Sequence, residues 1–291
     1  MDERVLGVIG GSGLYEMEGL EDREELVVET TFGAPSDAIL AGRLDGVRLL
    51  FLPRHGRGHR HAPHQVNYRA NILALKQLGA EQIVSVSAVG SMKESVRPGD
   101  VVLVDQFVDR TRHRANTFFE DVGVVAHVEF ADPVDAALQE ALYRAAVEVG
   151  VRAHKGGTYV CIEGPQFSTR AESNLFRSWG VDVIGMTNLP EARLAREAEL
   201  PYATMAMVTD YDCWKAHEES VSVDAVLAVL KKNVGVSQRI VAEVSRRLPD
   251  PAESPAKTAL EYAIITAPDA ISDEARRKLA PVAGRVLPSP S

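Results

Sequence analysis

The chain has 291 residues, 45% hydrophobic and 25% charged, which suits one α/β domain with a full core and gives neither a long apolar span nor a signal-peptide start. Its formal net charge of −9 opposes a nucleic-acid partner, so any anion it binds must be met by a local cluster of donors. The two cysteines, Cys161 and Cys213, stand far apart and outside any CxxC spacing, which indicates neither a disulfide framework nor a metal knuckle and fits a reducing cytoplasm.

The apolar run 5–9 opens into Gly10-Gly11-Ser12-Gly13-Leu14, a strand followed by a glycine loop. Without side chains in the way, backbone N–H groups and the Ser12 hydroxyl can converge on an anion; a plain tight turn is the alternative. Neither the dinucleotide spacing GxGxxG nor the lysine-bearing P-loop spacing is present, so NAD or a nucleoside triphosphate is not indicated. Short apolar runs at 26–28, 39–44 and 47–52 are separated by turns. Asp45-Gly46 between the last two is a hairpin signal, because both central residues of the favoured turn need positive φ.

Residues 53–64 carry four of the eight histidines and three arginines. No acid or cysteine accompanies the histidines at a common ligand spacing, so the zinc reading is weak and the predicted metal content is none. The basic residues more readily face an anion, and Arg54, just behind a strand, can grip a phosphate-like group with its planar fork. A solvated basic loop is the competing reading.

The pattern predicts a helix over 63–78, closed by Gly79, and a buried strand over 82–91 that ends in small residues. Ser87 and the Ala88 N–H become candidates for a second anion contact. A further β-branched run spans 100–108, and 110–121 reads as a charged connection without assigned chemistry. His127, alone, reads as a structural or exposed histidine.

A helix is predicted over 136–149 and a strand over 157–162. In the loop that follows, Phe167 could stack on a flat ring and Ser168 could bond its edge, although a loop aromatic is as often core. The segments 171–179, 181–186, 190–200 and 202–209 alternate helix, strand, helix, strand, the pattern of parallel α/β structure. Ligands in such sheets lie beyond the carboxyl ends of strands, so Ser12, Arg54, Ser87, Thr187 and Asp210 are expected to converge.

Asp210-Tyr211-Asp212 places two acids one residue apart at the end of the last run. On a continuing strand both would share a face, about 6 to 7 Å apart, and repulsion with partial burial would raise one pKa above ~3.9. A solvated loop or helix cap is the bland alternative, and a cation site lacks further acids. A long amphipathic helix covers 221–248, with Ser220 or Ser222 as caps. Pro249, Pro251 and Pro255 mark an extended linker, and 258–266 and 272–279 are periodic enough to pack. The expected division is a 1–248 domain, a 249–257 linker and a 258–291 helical extension.

Taken together, Gly10-Gly11-Ser12-Gly13-Leu14, Arg54-His55-Gly56, Val66-Asn67-Tyr68-Arg69-Ala70-Asn71, Glu163-Gly164-Pro165-Gln166-Phe167-Ser168, Met186-Thr187 and Thr209-Asp210-Tyr211-Asp212-Cys213-Trp214-Lys215 resemble the trimeric purine nucleoside phosphorylase superfamily, over residues 5 to about 248. The resemblance implies a single α/β domain with a central mixed sheet flanked by helices, a cytoplasmic homotrimer, and inorganic phosphate as co-substrate with no other cofactor. It implies phosphate contacts from Ser12, Arg54, His55, Ser87, Ala88 and Thr187, and substrate contacts from Phe167, Ser168, Met186, Val223 and Val226. It places Asp210 and Asp212 as catalytic acids at the purine N6 and N7 edge, and His127 in a neighbouring subunit's site.

Within the superfamily, a carboxylate at 210 accepts from an exocyclic amine and so favours adenine. An apolar Val223 suits a methylthio group at the 5′ position. The implied reaction is phosphorolysis of 5′-methylthioadenosine to adenine and 5-methylthioribose 1-phosphate. Another purine nucleoside, or binding without turnover, are the alternatives.

Overall fold

The computed structural model describes residues 3–11, 13–215 and 223–287, the side chains of 223–228 and 230 excepted. Its centre is β1 (Val5–Gly10), buried at every position as the unbroken apolar run dictates for a strand covered on both faces. On one side β1 pairs in parallel with β4 (Val47–Pro53), which is joined to β3 (Ile39–Leu44) by the Asp45-Gly46 turn. Both turn residues have positive φ, +51° and +80°, as the hairpin requires. The edge strand is β2 (Glu21–Leu26), antiparallel to β3, so the apolar triplet at 26–28 supplies only its last residue.

On its other side β1 pairs with β5 (Gln82–Ser91), but only from Leu6 to Ile9 against Gln82 to Ser85. Beyond Ser85 the two strands part. β5 continues along β11 (Tyr202–Asp210), parallel to it, and at Gly90 and Ser91 takes up β10 (Val183–Gly185) in antiparallel pairing. β10 lies parallel to β9 (Thr158–Ile162) and β9 to β7 (Gln106–Arg110), while β11 carries β6 (Val101–Leu103) and, beyond it, β8 (Ala153–Lys155). The mixed sheet thus forks at β5, and the single run expected over 100–108 is two strands, one on each branch.

Helices cover both faces. α1 (Tyr68–Gln77) begins at Asn67, whose side chain accepts from the Ala70 N–H, and stops before Gly79 at φ +89°. The helix expected from residue 63 therefore starts later: Val66 is extended at ψ 128°, and Pro63–Gln65 makes only a short 3₁₀ turn. α2 (Ala136–Glu148), α3 (Arg170–Ser178), α4 (Asn188–Glu197) and α5 (Val223–Ser245) follow near their expected places, and Ser220 and Ser222 lie outside the described residues. The proline-rich segment is two 3₁₀ turns, Pro251–Glu253 and Pro255–Thr258, rather than an extended linker. It is bonded down by Ser254 to Asp135, by Lys257 to the Glu81 carbonyl, and by Arg4 to the Pro249 carbonyl. α6 (Asp273–Ala283) then adds Ala275, Leu279 and Val282 to the core that holds Ile9, Leu50 and Ile72.

Candidate active site

A cavity of about 360 Å³ opens where β1 and β5 part. It gathers Arg54 and His55 from beyond β4, Ser87 to Gly90 from β5, Phe167 and Ser168 from the loop before α3, Gly185 to Thr187 at the end of β10 and just past it, Asp210 at the end of β11 with Asp212 beyond it, and Asn233, Val234 and Ser237 from α5. The expected convergence therefore occurs, but at the fork rather than along one carboxyl edge: Ser87 lies mid-strand and β10 runs against β5.

At the anion end the Val86 carbonyl faces the gap, where it accepts from Arg54 Nη1 at 3.0 Å. Backbone groups alternate sides along a strand, so the Ala88 N–H, two residues on, faces the same gap. The Ser87 and Thr187 hydroxyls lie 3.0 Å apart. Arg54 is buried, and its fork is taken by Glu191: Nε donates to Oε2 at 2.7 Å and Nη2 to Oε1 at 3.0 Å, with Nη2 also 2.7 Å from Ser85 Oγ. Tyr202 supports Glu191 from behind, donating to Oε1 at 2.9 Å. Burial works against the Arg54 charge, and Glu191 outweighs it, holding the guanidinium above its ordinary pKa. The bidentate grip expected for an anion is thus spent on a carboxylate, and the Nη1 edge is what remains for the cavity.

Burial, with the Arg54 charge second, lowers the His55 pKa to about 4. Its Nδ1 lies 2.8 Å from the His61 carbonyl, an acceptor only, so Nδ1 carries the proton and the neutral ring offers Nε2 as a lone pair. His55 stacks on His59, centroids 4.4 Å apart. Arg57 and Arg60 turn away to Glu25 and Asp37, so the basic loop delivers Arg54, His55 and His59 to the cavity and no cationic cluster. Ser12 lies outside the described residues. The next residue, Gly13, is held by α5, where Gln238 donates to its carbonyl at 2.8 Å.

At the other end the strand stops at Asp210, and Asp212 enters a 3₁₀ turn with φ +53°, so the acids do not alternate along one strand. They are brought together instead by the turn: the Asp212 N–H donates to Asp210 Oδ1 at 2.7 Å, and the Thr209 hydroxyl to Oδ2 at 2.6 Å. Gly90 permits this approach, since a Cβ there would stand 3.0 Å from Asp210 Oδ1. Burial raises the Asp212 pKa against a hydrogen bond from Ser173, and repulsion from Asp210 adds to the rise. Asp212 is thus held above its ordinary pKa.

Trp214 fixes the turn by donating to the Ser91 carbonyl at 2.7 Å, with the Arg177 guanidinium 3.6 Å over its ring. Cys213 Sγ reaches the Ser168 carbonyl at 3.3 Å and ties the turn to the Phe167 loop. Phe167 is 57% exposed at the rim, and Ser168 Oγ is buried without a partner among the described residues. Arg114, from the segment without assigned chemistry, is buried and donates to the carbonyls of Glu163, Met186 and Leu189. It locks the two loops that carry Phe167 and Thr187, and one of three arginines in a charged stretch gave no sign of this. His127 is outside this cavity, exposed, with its N–H on the Ala263 carbonyl. The side chains of Val223 and Val226 lie outside the described residues.

A family model, the phosphorylase superfamily, matches residues 5–246. The S-methyl-5′-thioadenosine phosphorylase of Geobacter sulfurreducens is 60% identical over 278 residues, 95% of this chain and 97% of that one, and its counterpart from Cereibacter sphaeroides is 54% identical over 97% and 98%. Among solved structures, a methylthioadenosine phosphorylase from an Antarctic soil metagenomic library superposes with a TM-score of 0.90 at 47% identity, covering 97% of this chain and 99% of that one. The Schistosoma mansoni methylthioadenosine phosphorylase in complex with adenine superposes at 0.82 and 37% identity, over 89% and 98%. With a family model spanning most of the chain and relatives this similar along nearly all of it, the chain belongs to the phosphorylase superfamily.

Proposed function

We propose that this protein catalyses phosphorolysis of 5′-methylthioadenosine to adenine and 5-methylthioribose 1-phosphate. The observation that carries the reading is one cavity with hydroxyl groups and Arg54 at one end and an acid pair beside an aromatic rim at the other. The relatives named above bear the same activity in their names.

Breaking the glycosidic bond builds positive charge on the sugar and negative charge on the leaving purine. Phosphate held by Ser12, Arg54, Ser87, Ala88 and Thr187, with the His55 Nε2 lone pair accepting from a phosphate O–H, stabilises the first charge and attacks C1′ from a fixed position. Asp210 and Asp212 meet the purine at its N6 and N7 edge. Protonation or hydrogen bonding at N7 by Asp210 stabilises the second charge, a role that typically contributes about 10²- to 10⁴-fold, beside an Asp212 whose pKa burial raises. Phe167 and Ser168 hold the base, Met186 lies against the ribose, and Val223 with Val226 faces the methylthio group. Phosphate is a co-substrate, and no further cofactor enters the reaction.

The acting form is a cytoplasmic homotrimer in which His127 completes a neighbour's site. Two free cysteines support the reducing compartment. The surface beside His127 supports the assembly: Val125, Tyr262 and Ile265 are 47%, 91% and 64% exposed around it. Adenine release from methylthioadenosine, measured with and without phosphate, tests the reading. Cleavage without phosphate, or inosine preferred to methylthioadenosine, would sink it.

A further inference from the structure

Behind the anion end stands a hydroxyl that does not itself line the cavity. Tyr159 is fully buried, with its Oη 3.2 Å from Ser87 Oγ and 3.4 Å from the Thr187 backbone nitrogen. Gly185 makes room for it, since a Cβ at that position would stand 2.0 Å from the phenol oxygen and 2.6 Å from Cζ. Ser87 and Thr187 complete a triangle of hydroxyls with their own 3.0 Å contact.

The protons of this triangle can be assigned. The Thr187 N–H can only donate, so it fills a lone pair of Tyr159 Oη. Burial pushes the Tyr159 pKa up to about 12, so the phenol keeps its proton and donates onward to the Ser87–Thr187 pair. That pair uses one of its two hydrogens on itself. The other is left over: its only protein acceptor among the described residues is the Ala88 carbonyl, 3.5 Å from Ser87 Oγ at the weak limit of a hydrogen bond, so an anion in the cavity takes it on better terms. Without the phenol one Ser87 lone pair stands empty, and no donor outside the pair fixes which hydroxyl gives its hydrogen to the other and which faces the cavity.

We propose that Tyr159 is a positioning residue for the phosphate co-substrate: it donates into the Ser87–Thr187 pair and so directs a hydroxyl hydrogen at the anion, in the room that Gly185 leaves. The chain of donors also polarises along its length, which strengthens the last bond, the one to phosphate. This rests on the proposed phosphorolysis.

The test is Tyr159→Phe, which keeps the ring and removes the donor. The KM for phosphate should rise roughly five- to tenfold, the effect of about one hydrogen bond, while the KM for methylthioadenosine changes less than twofold. In the double variant with Ser87→Ala the two effects on phosphate KM should not multiply, because Tyr159 acts through Ser87. An unchanged phosphate KM, a parallel rise in both KM values, or independent multiplication would each overturn the proposal. Wild-type turnover is measured first. If it is absent, the proposed function fails, and Tyr159 is judged by the phosphate-induced rise in melting temperature, which should be smaller in Tyr159→Phe and, if equal, removes its role.

Discussion

The two ends of the cavity are held by different means. At the anion end Arg54 and Glu191 are buried and spend their charges on each other, with Tyr202 and Ser85 filling in around them. At the base end the groups sit on a turn and a loop, Phe167 is more than half exposed, and Ser168 Oγ has no partner among the described residues. The difference teaches that the charges of the first end are settled before a ligand arrives, whereas the hydrogen bonds of the second wait for it. A charge-balanced cradle binds an anion by aimed dipoles and one guanidinium edge, so its cost is met in folding. An unsatisfied edge holds its hydrogen-bonding capacity for the base.

The largest expected effect would break this contrast at its closed end. Glu191→Ala leaves the Arg54 charge buried and unpaired, and should cost about 3–5 kcal/mol of stability in denaturant unfolding. Phosphate should restore part of that loss, because the anion supplies the missing counter-charge. A loss below about 1 kcal/mol would mean that the pair does not hold this end.

Next in size is Asp210→Asn, which should reduce turnover of 6-aminopurine nucleosides by roughly tenfold or more while leaving the phosphate KM within about twofold. Unchanged kinetics would remove Asp210 from the mechanism. Asp212 gives the pH dependence of the open end. Its pKa is raised in the fold, chiefly by burial, so its contribution to stability is full below the ordinary value of 3.8 and is lost as pH rises through the raised one. The melting temperature of Asp212→Asn, relative to wild type, should therefore improve as pH is taken upward from below 3.8. A difference that does not move with pH would contradict the shift.

The smallest effect sharpens the comparison most. Ser168→Ala removes a buried hydroxyl that lacks a partner, so the free protein should lose no stability, within about 0.5 kcal/mol, while the KM for methylthioadenosine rises about threefold. A clear loss of stability without ligand would show that this end, too, is finished in advance.

By itself the sequence determined the elements that local chemistry dictates. The buried run of β1, the Asp45-Gly46 hairpin, the long β5 and the alternation from α3 to β11 follow from apolar period and turn residues. Its motifs pointed to Arg54, Ser87, Thr187, Phe167 and Asp210, and all of them reach one cavity. Boundaries that depend on packing were not legible: the late start of α1 at Asn67, the division of 100–108 between two branches, and the docked proline segment.

Only the tertiary structure decided what each site residue does with its hydrogen bonds. Arg54 and Glu191 are 137 residues apart in the chain and Ser87 and Tyr159 are 72 apart, so no local pattern could pair them. The same holds for the acid pair. Their spacing announced that one carboxyl would be held toward its neutral form, but it is burial, outweighing the hydrogen bond from Ser173 of α3, that raises Asp212. Desolvation depends on what the rest of the chain places around a group, and that is a property of the fold rather than of the neighbouring residues.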